Sequence, residues 1–517
     1  MHRAKALLAA AALAAVTALA APASPAAAAS TVTNPGFESN GASQTPTGWS
    51  ESGTVAASKS EAGGRSGSYR GTHWSASAYT VETYQTLTGL TTGSYTLSAW
   101  VRSGGGQSAA YLAMKNCGGA QAQVNIPTSS STWVQVSVTA NVSSTSCTLS
   151  VYSNAAANQW INVDDVTFTK NGAGTSLQVK GGDLSSLKKN EDFGALYYTS
   201  SGTQGDAITI LKNAGMNYAR LKVWVNPADG YNNKARVLTM AQRIKAQGLK
   251  LLVDFHYSDS WADPGKQVPP AAWSGYSLSQ LNTAVYNHTY DVLNALKAQG
   301  TTADMVQVGN EINPGMLLPT GSTSHWGNLS QLLKSGVNAV KAVNSSTLVM
   351  LHLAEGGDNA TFRWWFDQAV AFGVPFDVIG ASYYCYWHGS MSGLQNNLND
   401  MASRYGKPVI VAETAYGFAT AQDDGESNIF TSSLANTCGY PASATGQRDA
   451  FQAVVDIVKN VPNGRGMGVF YWEPAWTAQA GAGWDPTNPS SGNGWENQAL
   501  FDYNSRALTA MSVYGSM

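Results

Sequence analysis

The 517-residue chain carries 30 Lys and Arg against 32 Asp and Glu, a formal net charge of −2, and only 12% of its residues are charged, well below the roughly 25% of an average globular protein. With no basic run to follow a phosphate backbone, nucleic acid is excluded as a partner. Ser, Thr, Asn, Gln and Gly fill the surface instead, which suits neutral ligands, and a chain of this length divides into two or three cores.

The chain opens with His2, Arg3 and Lys5, continues with an apolar run from Ala6 to Ala21 broken only by Thr17, and places small residues at Ala27 and Ala29. This is the pattern of a secretory signal peptide over 1–29. No later stretch reaches the roughly 18 apolar residues needed to span a bilayer, so an exported protein without a membrane anchor is expected. The four cysteines fall two by two, Cys117 with Cys147 and Cys385 with Cys438, without CxxC spacing or a histidine at metal-ligand spacing. In an oxidising compartment this predicts one disulfide in each half.

From 30 to 170 short alternating runs, among them "YTVETYQTLTGL", "GSYTLSAWVRS" and "WINVDDVTFTK", are separated by Gly, Ser and Thr turns and show no helical period. They predict an all-β sandwich. The opening "NPGFES" and "TPTGWS" and the closing "INVDDVTF" resemble the jelly-roll carbohydrate-binding modules of secreted polysaccharide hydrolases. Trp49, Trp74, Trp133 and Trp160 are candidates to stack on sugar rings. Trp100, in an alternating strand, is expected in the core, and Glu38 and Asp165 are candidates for a structural calcium. Residues 171–176 read as a short Gly-rich joint.

From 177 to 517 strand-like runs alternate with helical patterns. The eight runs are "LQVKGGDLS", "YARLKVWV", "KLLVDFHY", "MVQVGNEI", "LVMLHLAE", "FDVIGASYY", "PVIVAET" and "GMGVFYWEP"; helices are predicted over Lys234–Gln247, Leu278–Ala298, Leu329–Val343, Phe362–Phe372, Leu394–Tyr405 and Arg448–Lys459. Eight such units predict an α/β fold, a (β/α)8 TIM barrel preceded by the jelly-roll sandwich. The rival doubly wound sheet would show a Gly-rich fingerprint after its first strand, and none is present.

Chemistry in such a barrel sits at the carboxyl ends of the strands. Those ends carry Asp183; Arg220, Lys222 and Trp224; Asp254, His256, Tyr257, Asp259 and Trp261; Asn310 and Glu311; His352 and Glu355; Tyr383, Tyr384 and Trp387; Glu413; and Trp472 and Glu473. Glu311 and Glu413, on strands four and seven, suit glycosidic bond cleavage, in which one carboxyl gives a proton to the leaving oxygen and one carboxylate attacks the anomeric carbon. Arg220 is expected to keep Glu413 ionised, the more enclosed Glu311 to keep its proton, and Asn310 to hydrogen-bond the sugar 2-hydroxyl. Arg220, Asp254, His256, Asp259, Trp261, Tyr384, Trp387 and Trp472 complete the expected substrate-binding set, with Trp261, Trp387 and Trp472 as sugar platforms.

The stretches "GGDLSSL", "LLVDFHYSDSWADPGKQ", "VGNEINPGMLLPTG", "VIGASYYCYW", "VIVAETAYGF" and "VFYWEPAW" resemble the endo-β-1,4-galactanases of glycoside hydrolase family 53, from Val179 to about Tyr503. The resemblance implies a retaining hydrolase with Glu311 as acid/base and Glu413 as nucleophile. It also implies the β-1,4-galactan of pectic arabinogalactan as substrate and no cofactor for catalysis. Bacterial members carry a calcium ion after strand seven on a D-x-D-x-H-x-N pattern. The matching "QDDGESN" keeps Asp424 and Asn428 and has Glu426 where the pattern has His, so these three are the expected ligands, with Asp485 as a further candidate. A monomer is expected. The competing readings are a β-1,4-mannanase or cellulase of the same clan, and a non-catalytic carbohydrate-binding protein on a hydrolase scaffold, which would have lost one of the two glutamates.

Overall fold

The computed structural model describes residues 31–39, 41–170 and 176–517; the predicted signal sequence and most of the joint lie outside them. The chain divides into two compact units, Met1–Ala173 and Gly174–Met517.

In the first unit antiparallel strands form two five-stranded sheets. One runs in the order Ser50–Gly53, Tyr79–Thr88, Ser146–Ala155, Ala109–Lys115, Ala122–Asn125; the other runs Ser58–Ala62, Tyr69–Trp74, Trp160–Lys170, Gly93–Ser103, Ser129–Val142. Alternate residues face opposite sides of a strand, and the inward set, including Leu97, Val101, Leu112, Leu149, Val151, Ile161 and Val163, forms the core. The inward positions of the shorter strands are polar. His73 Nδ1 lies 2.8 Å from Ser153 Oγ and its Nε2 lies 2.9 Å from Thr83 Oγ1, while Ser58 Oγ is 2.7 Å from the same hydroxyl. Burial pushes His73 down to about 3, so it stays neutral. Cys117 and Cys147 form a disulfide.

Two tryptophans of this unit sit otherwise than expected. Trp49 is only 5% exposed, stacks on Phe37 with centroids 5.3 Å apart and donates its indole N–H to the Asn34 carbonyl at 3.2 Å, so it is core. Trp100 alternates with inward Ala99 and Val101, which turns it to the outer face, where the Arg65 guanidinium covers its ring at 3.7 Å. Glu38 and Asp165 are engaged by protein donors. Glu38 Oε1 accepts the Ser68 and Tyr69 N–H groups, and Asp165 pairs with Arg65 and accepts from Ser66 Oγ.

In the second unit eight parallel strands close a barrel: β1 (Val179–Asp183), β2 (Tyr218–Val223), β3 (Lys250–Phe255), β4 (Met305–Val308), β5 (Leu348–Leu353), β6 (Val378–Ser382), β7 (Val409–Thr414) and β8 (Gly466–Tyr471). Helices follow the strands, as expected of a (β/α)8 fold. Those at Trp326–Val343, Asn359–Ala371, Met391–Tyr405 and Ala444–Lys459 begin three or four residues earlier than predicted. Asp358, Ser390 and Ser443 explain three of the early starts, since their side chains accept from the N–H groups of Thr361, Gly393 and Gly446. A polar capping turn has no apolar period to betray it. Cys385 and Cys438 form the second disulfide.

The barrel interior is layered by the two-residue period of its strands. Val179, Tyr218, Leu252, Met305, Met350, Val378, Ile410 and Phe470 fill the amino-terminal end. Two residues further along, the same strands present Gly181, Arg220, Asp254, Gln307, His352 and Gly380. A Cβ on Gly181 would stand 2.1 Å from the Phe470 ring, so the glycine makes room for the aromatic plug beneath the polar layer. Gly181→Ala is therefore expected to destabilise the barrel by roughly 1–3 kcal/mol through overpacking, measured by denaturant unfolding, and Phe470→Leu in the same chain should recover part of the loss.

Candidate active site

The polar layer is gathered by one buried cation. Arg220 on β2 is 1% exposed. Its Nη1 lies 2.7 Å from Asp183 Oδ2, and its Nη2 lies 2.8 Å from each of Asp254 Oδ2, Glu413 Oε1 and Asn310 Oδ1. Its Nε–H donates to Gln307 Oε1 at 3.3 Å. Burial opposes the charge, but Asp254, Glu413 and Asp183 outweigh it and hold the guanidinium above its ordinary range.

Around this cation the other polar side chains are oriented by their neighbours. Asp254 Oδ2 is also 2.9 Å from His256 Nε2; the Trp224 indole N–H and the Ala262 backbone N–H both donate to His256 Nδ1 at 3.2 Å, which puts the ring proton on Nε2. Gln307 Nε2 donates to His352 Nδ1 and to Asn310 Oδ1, each at 2.8 Å, and His352 Nε2 reaches Ser382 Oγ at 2.8 Å. Burial, then the charge of Arg220, keeps His352 well below its ordinary value and neutral. Asn310 donates one N–H to the Ala262 carbonyl at 2.8 Å.

Glu413, at the end of β7, is 6% exposed. One carboxylate oxygen takes the Arg220 contact and the other accepts the Tyr384 hydroxyl at 3.0 Å. Glu311, just past β4, has φ 48°, as Tyr257, Glu355 and Glu473 have φ 50°, 66° and 51° past β3, β5 and β8. Left-handed backbone at a non-glycine residue costs of order 1–3 kcal/mol and gathers at functional sites. Burial, then the negative charge of Glu413, pushes Glu311 up to about 8. Burial also raises Glu413, to about 7, against the pull of Arg220 and the Tyr384 hydroxyl. Of the two, Glu311 keeps the proton, because the guanidinium touches Glu413. A protonated carboxyl beside an ionised one can give a proton and attack an electrophilic carbon in the same cleft.

Both glutamates line a cavity of about 590 Å³ together with Lys222, His256, Trp261, Asn310, Tyr384, Trp387 and Trp472. Arg220 and Asp254 lie behind this wall. Asp259 is not part of it: its two oxygens accept the Asn226 and Ala271 N–H groups at 2.9 and 2.8 Å, stapling two loops. Trp387 is 47% exposed at the rim. Sequence reasoning missed Asp263 and Trp495, which also line the cavity. Trp495 meets Trp472 edge-on at 4.5 Å; a tryptophan in the Gly-rich loop after the eighth strand was the available signal.

The loop expected to hold calcium is partly fitted for a cation. Asp424 accepts the Glu426 and Asn493 N–H groups, and Glu426 is exposed. Among the described residues, Asn428 Oδ1 and Glu496 Oε2 are buried acceptors without a donor. Burial, with Asp424 and Asp423 nearby, pushes Glu496 up to about 7. Asp485 instead closes its own turn, accepting from Thr487 N and Oγ1. Among the described residues no group of three or more His, Cys, Asp and Glu side chains is placed to hold a metal.

A closed (β/α)8 barrel with two unlike glutamates in an aromatic cleft defines a glycoside hydrolase. Residues 179–514 match the model of glycosyl hydrolase family 53, and the chain belongs to that family. It is 35% identical over 370 residues to an endo-β-1,4-galactanase of Bacillus subtilis, covering 65% of this chain and 85% of that one. Over 347 residues it is 35% identical to an arabinogalactan endo-β-1,4-galactanase of Humicola insolens, covering 66% and 99%. The solved family 53 catalytic domain of Ignisphaera aggregans superposes with a TM-score of 0.64 at 39% identity, covering 66% of this chain and 96% of that one.

Lys222, at the cavity wall, pairs at 2.9 Å with Oε1 of Glu473, whose side chain is only 1% exposed, and Lys222 Nζ lies 4.0 Å from the centre of the Trp261 ring. Lys222→Met is expected to lower unfolding free energy by about 3–5 kcal/mol, because it strands the Glu473 carboxylate. The double variant Lys222→Met with Glu473→Gln should recover part of that loss in the same denaturation measurement.

Proposed function

We propose that this chain is an exported, retaining endo-β-1,4-galactanase acting on the galactan of pectic arabinogalactan, with Glu413 as nucleophile and Glu311 as acid/base. The observation that carries the reading is the asymmetry of the two glutamates. Glu413 is fastened to Arg220 and the Tyr384 hydroxyl, whereas Glu311 is held protonated by burial and by its neighbour's charge. Family membership and relatives named as galactanases support the substrate.

In the first step a Glu413 oxygen bonds to the anomeric carbon while Glu311 passes its proton to the glycosidic oxygen. The carbon–oxygen bond breaks and the leaving chain departs as an alcohol. In the second step Glu311, now ionised, takes a proton from water, the water oxygen attacks the anomeric carbon, and Glu413 leaves as a carboxylate. Arg220 stabilises Glu413 whenever it is charged. The second N–H of Asn310 is available to the sugar 2-hydroxyl, and Trp261, Trp387 and Trp472 supply apolar faces for the pyranose rings.

Glu311→Ala is expected to lose about 10²–10⁴-fold in kcat/KM on polysaccharide, and far less on an aryl galactoside whose leaving group needs no proton. Glu413→Ala should be inactive and rescued by azide, with an inverted galactosyl azide visible by NMR. Retained activity in either alanine variant on galactan would overturn the assignment.

The pH dependence follows from the same pair. Activity needs Glu413 ionised and Glu311 protonated, so it falls on the acid side as Glu413 takes a proton and on the alkaline side as Glu311 loses one. Tyr384→Phe removes a hydrogen bond that favours the charged form of Glu413. The acid limb of kcat/KM should move to higher pH while the alkaline limb stays in place.

We propose a structural calcium between Asp424 and Asn428 of the loop after β7 and Glu496 of the loop after β8, with Glu426 outside the donor set. It has no part in the steps above. Chelator should lower the melting temperature by an amount that depends on free calcium, and Asn428→Ala should reduce that dependence. Equal chelator responses in the two proteins would remove calcium from this loop.

A further inference from the structure

Glu311 has opposite tasks in the two steps: it gives a proton to the leaving oxygen and then, ionised, takes one from water. The groups that bear on its charge come from several elements. Burial, Glu413 on β7 and Asp263 in the loop after β3 raise its proton affinity, whereas Arg220 on β2 lowers it. Lys222, His256, Glu355, Tyr384 and His388 are the other titratable groups on the cavity wall. One further contact is neutral. The hydroxyl of Ser382, the last residue of β6, hydrogen-bonds Glu311 and favours its charged form.

That hydroxyl ends a chain crossing three neighbouring strands. Gln307 stands on β4, His352 on β5 and Ser382 on β6, and all three are fully buried. The chain has one direction, set by the cation at its far end. A guanidinium can only donate. The Arg220 Nε–H, donating at 3.3 Å, therefore makes Gln307 Oε1 the acceptor, and the amide nitrogen is turned toward His352 Nδ1 at 2.8 Å. His352 is neutral, so a ring that accepts at Nδ1 carries its proton on Nε2, which lies 2.8 Å from Ser382 Oγ. The same Nδ1 is 3.1 Å from Asn310 Oδ1, but that oxygen already accepts from Arg220 Nη2 and Gln307 Nε2 at 2.8 Å each. Its two lone pairs are taken, and it has none for a ring N–H.

The Ser382 oxygen thus accepts from His352, and its own hydrogen has to point elsewhere. Turned back to the imidazole, it would meet the Nε2 hydrogen head-on. Glu311 is the acceptor that the hydroxyl reaches.

We propose that Ser382 is a positioning residue for the acid/base: His352 locks its hydroxyl toward Glu311, which holds the carboxyl in place and meets its ionised form with a fixed neutral donor. The inference rests on the assignment of Glu311 as acid/base. A neutral donor suits the task. It stabilises the carboxylate that must take a proton from water, and it adds no charge to compete with the hold of Arg220 on Glu413. A free serine would rotate between partners; this one is aimed before substrate arrives.

The test is the pH profile of kcat/KM on galactan, together with kcat on an aryl galactoside whose leaving group makes the second step limiting. Ser382→Ala removes a hydrogen bond to the charged form of Glu311, so the proton is held more tightly. The alkaline limb is expected to move up by roughly half to one pH unit, with the acid limb, which follows Glu413, in place. kcat on the aryl galactoside should fall severalfold. His352→Phe, which leaves the hydroxyl free to rotate, should move the same limb in the same direction by less. Ser382→Thr keeps the hydroxyl and should restore the native limb, a result that a generally loosened barrel cannot give. In the native enzyme, nitrogen NMR of His352 should show the proton on Nε2 and none on Nδ1. An alkaline limb unmoved by Ser382→Ala, or a ring proton on Nδ1, would overturn the proposal. An alkaline limb that survives in Glu311→Gln on the aryl galactoside would instead overturn the acid/base assignment.

Discussion

Arg220 reaches Asp183, Asp254 and Glu413 from one position on β2, and each of those carboxylates comes from a different strand. The guanidinium thereby ties the first, second, third and seventh strands together at the level where the barrel changes from apolar filling to chemistry. Only arginine can do this, since its planar fork gives several donors in fixed directions and keeps its charge when buried. The charges do not balance. One cation among several buried carboxylates leaves an excess of negative charge, and the enclosed site reduces it by keeping a proton. Glu311, out of direct reach of the guanidinium, is where that proton resides. The scaffold's own electrostatics thus leaves the two glutamates of the cleft unlike, one holding a proton and one paired with the cation.

The cleft rises from this layer through backbone as much as through side chains. Tyr257, Glu311, Glu355 and Glu473 leave their strands in the left-handed region, which turns the chain sharply; Glu311 and Glu355 thereby line the cleft, while Tyr257 turns outward to Thr289 on the surrounding helix. Glu473 is consumed below the surface by Lys222 and Ser186, with Ser186 Oγ 2.9 Å from its Oε1. Its role is to hold Lys222 under Trp261. Trp261, on the cleft wall, therefore rests on an ion pair, and its rigidity depends on the buried Glu473 charge.

How much of this was legible in the sequence follows from what each residue has to signal. The eight barrel strands announce themselves because buried parallel strands are continuous apolar runs, and the strand-end rule places Glu311 and Glu413 without a structure. The short strands Ser58–Ala62 and Tyr69–Trp74 were not separable from turns. Their inward residues are Ser58, Ser60, Gly71 and His73, so the alternation that marks a strand is absent; hydroxyl and imidazole groups satisfying one another replace it. Asp259 and Trp49 mislead for a related reason. Position in a motif tells which face of an element a residue can reach, but not whether a nearby amide or carbonyl has already claimed its polar atoms. Trp495 went unseen because it belongs to no strand and is brought to the cleft only by the loop after β8.

The Cys385–Cys438 disulfide closes a covalent ring that contains the whole of β7 and Glu413, and its first cysteine adjoins Tyr384. The most accessible part of that ring is residues 420–427, every one of them exposed. A single peptide-bond cleavage there opens the loop without releasing either fragment. The amino-side piece keeps Glu413 and Tyr384, the carboxyl-side piece remains anchored through Cys438, and the two stay in one molecule. Among proteases, the enzyme can be nicked at its most exposed loop and still be one covalent particle, with Glu413 and Tyr384 on the same fragment.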